Sequence, residues 1–162
     1  MQITVFLQDV VDEMSMQTDD MTAYINCKTG ELYTLTADVK TLIDDEDDRT
    51  LLPEWQQEEV IKADEILTSD DWLPLPTKYD IHEYSIMEDF CFSADNLEVR
   101  EELLAAIKGR GAFRYFKSVI HRYGIQDEWY QYRDNEIGKK AISWLKNHGI
   151  LYKPGRQSAH DE

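Results

Sequence analysis

Arg110, Arg114, Lys117 and His121 stand at i, i+4, i+7 and i+11, which lines them up on one face of a helix. A carboxylate or phosphate would find charge-assisted hydrogen bonds along such a stripe. Gly109 and Gly111 bracket Arg110 ahead of the helix, so the unpaired N–H groups and positive dipole end of the first turn would lie beside it. Packing alone accounts for the same residues: Gly109 caps the preceding helix, Gly111 permits a tight crossing, and the basic face docks on acidic parts of the chain. That docked arrangement is the favoured reading. The alternative is an anion or acidic-partner site formed by Arg110, Gly111, Arg114, Lys117 and His121.

Arg133 poses the same choice. It lies at the edge of an apolar arc holding Trp129, Tyr130, Ile137, Ala141, Trp144 and Leu145. From there its guanidinium can stack on Trp129 and pair with Glu136 or with an acid of another helix. It joins the candidate binding residues, with a structural role as the favoured reading. The arc itself reads as core first and as a stacking platform second.

Other chemistries are not signalled. A calcium loop starting at Asp44 would need Gly at its sixth position and Glu at its twelfth, where Arg49 and Trp55 stand. Cys27 and Cys91 form no CxxC pair, and His82, His121, His148 and His160 form no local ligand pair. Neither a metal nor a cofactor is expected. HExxH, GxSxG, phosphate-loop and dinucleotide fingerprints are absent from the sequence.

Charge narrows the partners. The net charge is −16, but residues 1–108 carry seven Lys/Arg against 27 Asp/Glu, giving −20, and residues 109–162 carry ten against six, giving +4. A whole molecule this negative repels nucleic acid at long range, so polyanion binding would be confined to the C-terminal third. The N-terminal MQITVFLQDVVDEM has no signal-peptide pattern and no run approaches a membrane span, which predicts a cytoplasmic protein with no membrane partner.

The elements that would position these residues can be read from periodicity. Leu7, Val10, Val11 and Met14 predict a helix over 4–16, and alternation across Thr22–Cys27 with a Lys28–Glu31 turn before Leu32–Leu35 predicts a β-hairpin. The acidic run Asp44–Asp48 is a charged connection, and Pro53 opens a helix with a rough apolar face of Trp55, Val60, Ile61 and Leu67. Two prolines in WLPLP allow only an extended or edge strand. Capping-box spacing at Asp80/Glu83 and Asp95/Glu98 predicts helices over about 81–92 and 96–108. Two more run over about 112–123, ending at Gly124, and about 126–147, before Gly149.

In GRGAFRYFK (109–117), WYQYRD (129–134) and Ala141 with Trp144-Leu145, the order and spacing resemble the C-terminal signature of the bacterial uncharacterised family numbered 0158 in the UPF series. YINCKTGEL and IMEDFCFS extend the resemblance over most of 20–147, although Tyr132 stands where Phe is commoner in the family. The resemblance implies no activity, because none is assigned to the family.

These readings predict an α+β fold: one mainly helical domain over 1–150 with a small antiparallel hairpin or sheet and a C-terminal αα-hairpin, and a flexible tail over 151–162. The function they favour is a noncatalytic binding or regulatory module taking a protein partner or a small anion. The alternatives are an enzyme acting on a phosphorylated or carboxylated small molecule, and an acidic decoy for a basic protein.

Overall fold

The structure of the chain, a computed structural model, describes residues 3–39 and 53–157. The acidic run Asp44–Asp48 and the calcium-loop test made on it lie outside the described residues. The fold is α+β, with a three-stranded antiparallel sheet, a two-stranded parallel sheet and, among the described residues, seven helices. It is organised in two compact units, Met1–Asp80 with Lys140–Glu162, and Ile81–Lys139.

In the first unit the chain opens with strand β1, Thr4–Phe6, followed by helix α1, Leu7–Met16. The helix expected from residue 4 therefore begins three residues later. Thr4, Val5 and Phe6 are strand formers, and they pair in parallel with a strand near the other end of the chain, β5, Leu151–Lys153. Val5 is buried by that arrangement.

Residues beyond β5 complete the start of α1. The N-cap residue Phe6 has no side-chain cap to offer, and the Gln8 N–H donates instead to the Gly155 carbonyl at 3.0 Å. The Gln157 N–H donates to Asp9 at 3.0 Å, and Arg156 Nε to Asp12 at 2.7 Å. Burial pushes the Asp12 carboxyl up, but hydrogen bonds from Arg156 and Gln8, with the Arg156 charge, outweigh it and hold the group below its ordinary value.

Strands β2, Met21–Asn26, and β3, Leu32–Thr36, form the expected hairpin, with Tyr24 opposite Tyr33 and Ile25 opposite Leu32. β4, Trp72–Pro74, adds to the free side of β2 as an edge strand, where prolines are tolerated. Tyr24, Leu35 and Trp72 pack with Ala63 and Ile66 of helix α2, Glu54–Thr68. The buried face of α2 is thus Val60, Ala63 and Ile66, whereas Trp55, Ile61 and Leu67, expected inside, are exposed.

Helix α3, Lys78–Ile81, is a single turn with a reciprocal cap: Thr77 N–H donates to Asp80 Oδ2 at 2.9 Å and Asp80 N–H to Thr77 Oγ1 at 3.2 Å. Asp80 therefore closes a box opened by Thr77, and does not start the next helix.

His82, at φ +56°, breaks the chain before α4, Glu83–Ser93, in the second unit. Helix α5, Leu97–Ala106, is capped by Asn96, whose side chain accepts from the N–H groups of Glu98 and Val99. The cap thus sits one residue beyond Asp95. Helices α6, Ala112–Tyr123, and α7, Gln126–Asn147, match their expected bounds. Gly124 between them takes φ +66°, which lets the Ile125 N–H reach back to the Ile120 carbonyl at 3.1 Å and close the end of α6. The C-terminal αα-hairpin follows from this two-residue joint. The core of this unit is aromatic: Trp129 meets Phe116 and Phe90 edge to face, with centroids at 4.8 and 5.3 Å.

Candidate functional site

Helix α6 buries Ala112, Phe116, Val119 and Ile120, so the opposite face is available to carry charge. Arg114, Lys117 and His121 lie on that face and are exposed. Arg110 and Gly111 stand in the turn before it, both exposed, with Gly111 at φ +74° as the residue that enters the helix. A Cβ on Gly111 would lie 3.1 Å from Cε2 of Tyr115, whose ring leans back over this entrance. Only glycine combines that backbone conformation with room for the ring. Gly111, as the N-cap, offers no side chain to the first turn.

Across Lys108–Gln126 there are five Lys/Arg and no Asp or Glu, a local reversal of sign in a chain of net charge −16. Arg122 is spoken for by Glu102, at 2.7 Å. That carboxylate also accepts from Tyr123, a hydrogen bond that holds the phenol above its ordinary value. Among the described residues, Arg110, Arg114 and Lys117 make no ion pair. Arg114 lies 5.6 Å from the Tyr115 ring centroid, within cation–π range. Phe113 and Tyr115 are themselves exposed, at 43 and 51 %. The surface is therefore cationic and aromatic together.

The other two sequence candidates are engaged. His121 Nδ1 lies 2.8 Å from Gln126 Nε2, which ties the end of α6 to the start of α7. Arg133, half-buried on α7, pairs with Glu83 of α4, while Glu136 pairs with Lys139 at 2.6 Å. Of the partners considered for Arg133, it is the acid of another helix that it meets. Arg114 and Lys117 thus share the exposed face of α6, Arg110 and Gly111 stand exposed in the turn before it, and His121 and Arg133 each have a side-chain partner.

A groove of about 410 Å³ runs between α5 and α6 beside this surface. Ala105, Ala106 and Val119 give it an apolar lining; Lys108, Ser118 and Arg122 supply polar groups. Sequence spacing did not reveal it, because its two sides come from separate helices. Among the described residues, no cluster of three or more His, Cys, Asp or Glu is placed to hold a metal ion, and no helix is long and apolar enough to cross a membrane. The buried Cys91 thiol is pushed up to about 12 by desolvation, away from the thiolate form a nucleophile needs.

No curated protein and no solved structure matches the chain. A family does: the match runs over residues 2–155, through both the hairpin and the glycine-flanked start of α6, and the chain belongs to Uncharacterised protein family (UPF0158).

Proposed function

We propose that this protein is a noncatalytic cytoplasmic binding or regulatory module that takes an anionic partner on the exposed surface formed by Arg110, Arg114 and Lys117 at the head of α6. One observation carries the reading: three exposed cations without an ion pair among the described residues, beside exposed Phe113 and Tyr115, in a stretch free of acidic residues. Three unneutralised like charges on adjacent turns repel one another, and an anion relieves that repulsion. The strongly negative remainder of the chain disfavours an extended polyanion, whereas a short acidic segment or a small anion engages the local patch within a Debye length of roughly 8 Å.

The test is a pair of thermal melts, with and without phosphate at constant ionic strength, on the parent and on Arg114→Gln with Lys117→Gln. The parent is expected to be stabilised by phosphate through ligand linkage and the double variant to lose that response. Its stability without phosphate should stay within about 0.5 kcal/mol of the parent, as expected for exposed residues. A loss of several kcal/mol in the variant would instead mean that the cations dock on carboxylates, and an equal phosphate response in both proteins would remove the site.

The groove between α5 and α6 favours a second reading, an enzyme acting on an anionic small molecule. A defined turnover by the purified protein, abolished by Lys108→Gln, would establish it over the first.

A further inference from the structure

A cavity of about 400 Å³ in the first unit has two walls of different chemistry. One is a stripe of α7 in which Lys140, Ser143, Trp144 and Asn147 recur at i, i+3, i+4 and i+7. The other is the extended segment from Pro74 to Thr77, with Asp80 beyond it.

Both walls are braced. The Leu75 N–H donates to the Ala23 carbonyl at 2.9 Å, and the Pro76 carbonyl accepts from Gln17 Nε2 at 2.7 Å. Gln17 is buried and also accepts from the Ala23 N–H at 3.0 Å, so one glutamine fastens the proline segment to β2. On the opposite wall the Trp144 ring stacks on His148, centroids 4.1 Å apart and planes 28° from parallel. A preformed cleft of this size with an aromatic wall and a few convergent polar groups suits a small molecule.

Its charges identify the class. Asp80 commits Oδ2 to Thr77, while no hydrogen bond engages Oδ1 among the described residues. Lys140 has no ion pair among the described residues, and the two are not paired with each other. A ligand carrying only an anion would meet Asp80, and one carrying only a cation would meet Lys140. A zwitterion satisfies both, with its ammonium toward Asp80 and its carboxylate toward Lys140. The Ser143 hydroxyl and the Asn147 amide remain to complete hydrogen bonds, and Trp144 with the two prolines covers an apolar side chain. We infer that this cavity binds a free α-amino acid with an aromatic or large apolar side chain. The assignment is independent of the α6 surface, since it uses none of its residues.

The experiment is an NMR titration of the full chain with L-phenylalanine, reading the Trp144 indole N–H resonance, which is identified by its loss in Trp144→Phe. Phenylalanine at millimolar concentration is expected to shift that resonance saturably. Blocking either charge of the ligand, in N-acetyl-L-phenylalanine or L-phenylalanine amide, should weaken binding by about tenfold or more, as should Lys140→Gln, because each removes a charge-assisted hydrogen bond. Arg114→Gln with Lys117→Gln should leave the titration unchanged. An unmoved resonance would overturn the inference. So would binding indifferent to both blocked analogues, which would leave only an apolar cleft, or saturation by inorganic phosphate in place of the amino acid.

Discussion

Arg133 of α7 and Glu83 of α4 form an ion pair within the second unit, tying two helices together through residues 50 apart in sequence. Both side chains are roughly four-fifths shielded, at 19 and 24 % exposure, so neither is freely hydrated. Removing one partner leaves the other half-buried and uncompensated. Arg133→Ala should therefore cost about 2 kcal/mol, between the fraction of a kcal/mol typical of exposed pairs and the larger loss of fully buried ones. A double-mutant cycle with Glu83→Gln in urea melts measures the coupling. Additive single effects would show that Arg133 acts through its aliphatic stem alone.

The two tryptophans of α7 should behave differently. Trp129 is 3 % exposed and enclosed by Phe90 and Phe116, whereas Trp144 is half-buried at a cavity wall. Trp129→Ala should lose about 3–5 kcal/mol, as expected when a large core side chain leaves a void. Trp144→Ala should lose less, about 2 kcal/mol, because part of its surface lines the cavity and meets solvent. Equal denaturation midpoints for the two variants would contradict this placement of the core.

Alkaline pH should weaken the fold. Burial pushes the Cys91 thiol up to about 12 from an ordinary 9.0, and burial likewise raises the Tyr33 and Tyr132 phenols. The unfolded chain therefore loses these protons at lower pH than the native one. Stability is fully present below about pH 9 and declines as pH rises toward the folded values. Melting temperatures between pH 8 and 11 should fall for the parent and fall less steeply at first for Cys91→Ala. Parallel profiles would remove the thiol as a contributor.

Local signals in the sequence were readable where structure is local. The bounds of α6 and α7 follow from apolar periodicity punctuated by Gly124 and Gly149, and the hairpin follows from its glycine turn. β1 is not legible from local pattern, because three residues directly before a helix extend its periodicity and their partner strand, β5, lies far along the chain. In α2 the large residues Trp55 and Ile61 drew the apolar face toward themselves, while the face that packs is centred on Ala63, whose small side chain carries little weight in a periodicity. The same division holds for the candidate residues. The cationic stripe of α6 was visible because it repeats along one helix. The Glu83 partner of Arg133, the groove between α5 and α6, and the lining of one cavity by both Asp80 and Lys140 each depend on residues from separate elements.

The pairing of Thr4 with Leu151 makes the first unit discontinuous, assembled from two distant lengths of chain, while Ile81–Lys139 forms an uninterrupted insert. During vectorial synthesis the insert has all its residues before the first unit does, and β1 waits for β5 to emerge. An unpaired strand edge held open that long is a template for mispairing between nascent chains. The acidic character of residues 1–80, with 20 Asp/Glu against five Lys/Arg, supplies a counterweight, because like charge in the stretch that is still incomplete disfavours such pairing.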